Sequence, residues 1–524
     1  MSMRISVRLA AVTLAAALSG AAPAADLRIG LSSEVTTLDP HFFNLVANVE
    51  FNHHVFDYLV DVDEKTQLVP SLAESWRNVD ELTWEFKLRR GVRFHDGTPF
   101  TADDVVFTFQ RAPNVPNSPA SYGQYLKRIS AMTVVDEHTL RISTAAPYAA
   151  LLHELSNVGI VSRKNGENAK TVDYNSGKAT IGTGPYKLVE WVQGDRLVLV
   201  RNDDYWGAKP NWDRVVFKPI TNNAARTAAL LAGDVELINN VSSTDVDVLR
   251  RNAGLVLAQG PGLRLYNLSI DSNRDISPFV ADKEGRPMTT NPLKDVRVRR
   301  AISKAINREA LASQIMEGQA IPASQYLPPP LAATSPRLKP DAFDLDGARK
   351  LLAEAGYPDG FSLTVHGPND RYPNDAKVVQ ALAAMLTRAG IKSSADAMSR
   401  TIFFTRAAKL EFSAAFAGTA TDTGEVMDML KYMSRTYDEA KGVGNGNRGR
   451  WSNPRFDDLV ERAYGTLDAE KRNALVIEAT ENAMDQVALV PLYWPINTWA
   501  MRKGLSYVAR PDEYTLATAV KPAP

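Results

Sequence analysis

From Thr83 to Leu88 the polar residues Thr83, Glu85 and Lys87 alternate with Trp84, Phe86 and Leu88, the period of a half-buried strand. Asp96-Gly97 supplies turn chemistry, and Thr101 with Asp104 three residues on reads as a capping box. Val105, Val106 and Phe109 give the helix that follows an apolar face. Alternation returns over 183–206 and predicts two paired strands around Gly194-Asp195. Residues 222–238 predict a helix, a break at Gly233-Asp234 and a strand, and "ADLRIGLSS" predicts a first strand.

After about residue 262 helical patterns alternate with short strands. Val298, Ile302, Ile306 and Ile315 predict one helix over 295–318 that stops at Gly318. Strands are predicted at 361–367 and 411–418, and helices at 374–390 and 425–435. This alternation predicts an α/β fold. The Pro-rich stretch 325–340 reads as a surface connection.

At roughly 100–200 residues per domain, 524 residues predict two to four domains. Lys+Arg and Asp+Glu both number 60, with no basic block or acidic tail, so no nucleic-acid partner is expected. The first 24 residues begin with Arg4 and Arg8, continue with an apolar run to Leu18 and end in Ala22-Pro23-Ala24. That order predicts a cleaved secretory signal peptide, because the run is too short to span a membrane. There is no cysteine, which excludes disulfides, thiolate metal sites and a lipid attachment point. An exported, soluble chain in the periplasm is expected, not embedded in the membrane.

Candidate chemistry is sparse. His95-Asp96-Gly97 reads as a turn, and His153-Glu154 opens like a zinc-protease helix but Asn157 stands where a second His is needed. No nucleophile elbow, phosphate loop or dinucleotide fingerprint is present, so no enzyme activity, cofactor or metal is expected. Arg297, Arg299 and Arg300 read as a solvated helix face. Asp422 follows a predicted strand end, where α/β sheets bind ligands, yet with Glu425 it also fits a capping box. Arg371, in another strand-end loop, suits a bidentate grip on a carboxylate or a solvated loop. Tyr266, Tyr493 and Trp494 fit either a pocket wall or core.

"TTLDPH" (36–41), "LAESW" (72–76), "RGVRFHDGTPFTADDVVFTFQR" (90–111), "GTGPYKL" (182–188), "RNDDYWG" (201–207), "DVRVRRAISKAIN" (295–307) and "AGYPDGF" (355–361) occur in this order. Together they resemble the extracytoplasmic solute-binding proteins of ABC importers, in the oligopeptide/dipeptide/nickel-binding family (family 5). Residues 282–294 look like an insertion. The resemblance implies a two-lobed periplasmic binding protein of type II-like architecture, with a two-crossing hinge and an extra domain in the N-terminal half. It implies lobe I at 26–66, 180–262 and 489–524, the extra domain at 67–179 and lobe II at 263–488. The crossings are expected near Gly260-Pro261-Gly262 and 489–495.

Peptide-binding members carry an Asp in a Gly-Trp-x-Ala-Asp segment that pairs with the ligand α-ammonium. "GTATD" (418–422) lies in that place: Asp422 matches, Thr419 replaces the Trp, and "TGEV" replaces a Pro-containing continuation. The resemblance therefore implies Asp422 as the anionic anchor, with backbone near Thr421 and Thr423 pairing with an extended ligand. The expected function is capture of a small peptide or peptide-like solute by lobe closure and delivery to an inner-membrane ABC permease, the receptor acting as a monomer. The alternatives are a nickel-chelate receptor, for which His41, His53 and His54 are the candidates, a sensory receptor, or a periplasmic hydrolase.

Overall fold

The computed structural model describes residues 26–421 and 423–523. The expected signal peptide lies outside the described residues, as does Asp422. Most of the strands join one 13-stranded mixed sheet. In its first half Asp26–Leu31 pairs in parallel with Arg214–Pro219 and Leu237–Ile238, and the paired strands Tyr186–Val192 and Arg196–Arg201 complete the edge. In its second half Ser362–Pro368 pairs in parallel with Lys392–Met398 and Ala414–Thr419, and the latter lies antiparallel to Leu265–Ile270. Helices pack on these strands, giving a mixed α/β fold.

Two neighbouring segments link the halves. Val490–Arg502 is a single 13-residue strand whose C-terminal part pairs with Leu255–Pro261 and whose N-terminal part pairs with Leu265–Ile270. The chain passes between those two partners at Gly262. A Cβ there would lie 2.7 Å from Asn497 Oδ1, so only glycine lets the Asn497 amide reach the Arg510 carbonyl at 3.1 Å.

A separate four-stranded antiparallel sheet, Ala73–Asn78, Thr83–Leu88, Thr139–Thr144 and Ile129–Asp136, lies in the N-terminal half. Trp84, Phe86 and Leu88 turn into its core, as their spacing predicts. The helix Ala102–Arg111 that covers it is capped as its sequence predicts: Asp104 Oδ2 accepts from the Thr101 backbone N–H at 2.9 Å.

Three local expectations are corrected. The helix over 295–318 is interrupted: Val296–Ala305 ends at Ile306, and Asn307 restarts the chain by accepting from the Ala310 N–H at 2.9 Å. The local hydrogen bond of Asn307 outcompetes the apolar periodicity. The Pro-rich connection does not run over the surface at its start, since Gln325, Tyr326 and Leu327 are buried. Gln325 is satisfied there by both backbone groups of Ser335, at 2.8 and 3.0 Å.

The third correction concerns the arginines. Arg297 is exposed, but Arg299 is only 5 % exposed. Its guanidinium donates to the carbonyls of Leu293, Lys294, Gln486 and Val487 at 2.8–3.0 Å. Arg300 reaches Asp341 and the carbonyls of Met484 and Asp485. Arg300 thus donates to the last two carbonyls of the helix Ala469–Asp485, and Arg299 to those of the two residues that follow it.

Glu50 is buried with Oε1 accepting from the Thr515 N–H at 2.7 Å, while Oε2 has no hydrogen-bond partner among the described residues. Burial pushes this carboxyl up to about 8. The folded chain therefore holds a proton that the unfolded chain releases near its ordinary value of 4.5. Glu50's contribution to stability is intact below that value and is lost as pH rises through about 8. Melting temperatures of wild type and Glu50→Gln across pH 6 to 9 (roughly spanning the folded-state titration) are expected to diverge, the wild type falling more steeply. Parallel curves would contradict this.

Candidate functional site

The strand Ala414–Thr419 ends beside Leu265–Ile270, with Gly418 opposite Tyr266 and Thr419 opposite Leu265. Tyr266 packs directly beneath this end: a Cβ on Gly418 would lie 2.8 Å from its ring. The Tyr372 hydroxyl donates to the Gly418 carbonyl at 3.0 Å. The strand end is thus fixed from below, and the chain beyond it faces a cavity of about 490 Å³.

Thr419, Thr421 and Thr423 line that cavity. The Thr423 hydroxyl donates to Asp428 Oδ2, and the Thr421 hydroxyl lies 3.2 Å from that of Thr423. The Thr423 N–H donates to Thr421 Oγ1 at 3.2 Å, and the Glu425 N–H to Thr423 Oγ1 at 3.3 Å. These bonds tie the loop to the helix Val426–Met433. The N-cap of that helix is Glu425, which makes no side-chain capping bond. A capping box with Glu425 in its third helical position is therefore not what starts it.

The opposite wall comes from the N-terminal half, with Gln124, Tyr125, Lys127 and Glu154. Asn267, Ser269, Lys431, Tyr432 and Arg448 line it as well. Glu154 is buried and accepts from the Tyr148 hydroxyl at 2.6 Å. Burial pushes its carboxyl up to about 7, against the opposing pull of that hydrogen bond and of Lys431. Tyr148 stacks on Tyr464 at 5.5 Å, and the Ala149 N–H donates to the Tyr464 carbonyl at 3.0 Å. The two rings that hold cavity residues, Tyr148 for Glu154 and Tyr464 for Lys431, are therefore in contact with each other.

The loop is shared with two further spaces. Thr421 and Thr423 also line a space of about 120 Å³ with His53, Arg264, Asp512 and Glu513. Glu425 faces away, toward a space of about 720 Å³ walled by Pro328, Pro329, Pro330, Leu331 and Val476. There Glu425 Oε1 lies 3.1 Å from His153 Nδ1. Burial holds the His153 imidazole down at about 4 and the Glu425 carboxyl up at about 7, so both favour their neutral forms. Glu64, Lys65 and Arg472 also border this larger space, but most of its lining is apolar, so the smaller cavity bounded by the loop suits a polar solute better.

The other candidates lie elsewhere. Arg371 is exposed, its guanidinium 5.0 Å from the Tyr372 ring centre, and it does not line the cavity. Tyr266 and Tyr493 stack at 4.6 Å within the core of the second half. Trp494 is buried and donates to the Tyr326 carbonyl at 3.3 Å. His41 and His54 are buried in protein hydrogen bonds: His41 Nε2 to the Gly159 carbonyl at 2.8 Å, and His54 Nε2 with the Ala517 N–H at 2.9 Å. His53 lies 4.4 Å from the Tyr58 ring. Among the described residues no three His, Cys, Asp or Glu side chains gather as metal ligands.

Asp428, Lys431, Lys127 and Arg448 escaped the sequence reading. Asp428 and Lys431 sit on the polar side of an amphipathic helix whose apolar side carries Val426, Met427, Met429 and Leu430. That pattern predicts water on the polar side, and only the tertiary fold puts the cavity there.

Residues 67–441 match the family model of the bacterial extracellular solute-binding proteins, family 5. The chain belongs to that family. It is similar to the glutathione-binding protein GsiB of Salmonella choleraesuis, 29 % identical over 501 residues and 92 % of each chain. Its fold is similar to that of HbpA2 from Haemophilus parasuis, with a TM-score of 0.83, 23 % identity and coverage of 95 % of this chain and 100 % of that one. It is also similar to the periplasmic binding protein DppA of Helicobacter pylori, solved with the peptide STSA, with a TM-score of 0.74, 25 % identity and coverage of 95 % and 98 %. This family-5 chain is an extracellular solute-binding protein with the two-lobed α/β fold of the periplasmic binding proteins. No helix among its described residues is long and apolar enough to cross a membrane.

Proposed function

We propose that this protein is the periplasmic receptor of an ABC importer, capturing a peptide or peptide-like, amine-bearing solute and presenting it to an inner-membrane permease. The observation that carries this reading is the trio Thr419, Thr421 and Thr423 at the end of a central strand, lining a cavity with charges of both signs. Such a site matches a zwitterion. The relatives whose names give glutathione and a short peptide as ligands belong to the same chemical class.

In this reading Asp422 anchors the ammonium, and backbone near Thr421 and Thr423 pairs with the solute as an added strand does. Arg371 becomes a carboxylate ligand only by swinging in from its exposed place over Tyr372. Lobe I comprises 26–66, 180–262 and 489–524, the extra domain 67–179 and lobe II 263–488. The two linking segments, at Gly262 and within Val490–Arg502, serve as the hinge. No bond is made or broken: solute shifts the balance because it touches both walls and therefore binds the closed state more tightly.

Contacts such as Tyr148 with Tyr464 and His153 with Glu425 have to part for solute to enter. Native mass spectrometry of protein from its own periplasm is expected to find a retained primary-amine solute. Small-angle scattering is expected to give a larger radius of gyration once that solute is removed. An unchanged radius at demonstrated saturation would overturn closure, and a retained solute without an amine would overturn the solute class.

A further inference from the structure

We propose that the solute carries at least two carboxylates besides its amine, and that Lys127, Lys431 and Arg448 receive them. This rests on the peptide-like reading of the same site and adds the charge class of the solute. All three cations line the 490 Å³ cavity, and they come from three separate segments of the chain. Among the described residues none of them forms an ion pair with a carboxylate. Other arginines do so readily: Arg111 lies 2.7 Å from Asp39, for example. A cavity that gathers three cations with no carboxylate in ion-pair contact among the described residues is suited to anions.

The described carboxyl groups at the cavity are already engaged. Asp428 takes the Thr423 hydroxyl, and Glu154 takes the Tyr148 hydroxyl while burial favours its protonated form. Glu154 attracts both Lys127 and Lys431 through space but forms no ion pair with either. Lys431 is held over the Tyr464 ring at 5.6 Å, which orients its ammonium without cancelling its charge. Lys127 is pushed below its ordinary value, first by partial burial and then by the positive charge of Lys431. Holding like charges together in a half-dry site opposes the empty state, and an anion that bridges them relieves that opposition. A peptide with a free amine brings one terminal carboxylate. Three cations on different segments leave room for a second.

The test uses two pools of tripeptides with free termini, one with a single Glu at any position and one with Gln in its place. The pools match in size and differ by one negative charge. Wild type stripped of its own solute is expected to retain members of the Glu pool about tenfold more strongly, the effect of one charge-assisted hydrogen bond in a partly buried site. Native mass spectrometry of competing pools gives the ratio. Lys431→Met and Arg448→Met are expected to shrink that ratio, and 1 M salt, at roughly a 3 Å screening length, to shrink it in the wild type. Equal retention of the two pools, or preference for the Gln pool, overturns the inference while leaving the peptide reading intact. Retention of neither pool overturns the peptide reading, and this inference falls with it.

Discussion

Asp422→Asn is expected to melt near the wild-type temperature and to lose about 2–5 kcal/mol of affinity for its amine solute, roughly 30- to several-thousand-fold. The substitution keeps size and hydrogen-bonding capacity but removes the charge. Asparagine caps helices about as well as aspartate, so a capping role would leave stability and binding alike unchanged. The helix that follows has Glu425 at its N-cap, which takes that role away from the pair Asp422 and Glu425. Thr421 and Thr423, on either side of Asp422, both line the cavity. Calorimetric titration with the retained solute, beside thermal melts, separates the roles. Equal affinities would remove Asp422 from the site and the amine reading with it.

Arg299→Met is expected to destabilise the fold by about 4 kcal/mol, four carbonyls in buried or half-buried hydrogen bonds losing a donor at about 1 kcal/mol each. Methionine keeps much of the apolar stem, so packing changes little and the loss reports the guanidinium. Arg297→Met serves as the comparison. That residue is exposed and pairs with Asp295 in water, so about 0–1 kcal/mol is expected. Denaturant midpoints of the two variants measure the difference. Similar midpoints would mean that the carbonyls of Gln486 and Val487 find water when Arg299 withdraws.

The comparison of these arginines shows how far sequence reaches. Three charged residues within one helix, 297, 299 and 300, carry the same local signature. What separates them is the end of another helix, 188 residues away at Val487. A buried cation is read as solvated whenever its partners are backbone carbonyls, because every residue has a carbonyl and none marks the sequence.

The same reason explains the site. The strand Ala414–Thr419 and the turn after it were legible, since a run of small and apolar residues ending in Gly and Thr needs no distant information. Lys127 and Lys431 were not, because nothing in either neighbourhood announces the other. Tyr266, Tyr493 and Trp494 were legible only as large aromatics. Whether they faced the cavity or the core depended on Gly418 and Tyr326, which pack against them from remote segments.

The sequence by itself determined the α/β alternation, the half-buried strand at Thr83–Leu88, the Thr101 cap, the helices that end before Gly233 and Gly390, and the family. All of these follow from interactions a few residues long, or from motifs read in order. The tertiary structure alone decided which polar faces meet water and which meet the cavity. It decided that Ile306-Asn307 breaks a helix whose periodicity continues through it. It also decided that Lys127, Lys431 and Arg448 share one space. Charge is felt through space, and the spacing of these charges is set by the packing of three segments, which no local pattern encodes.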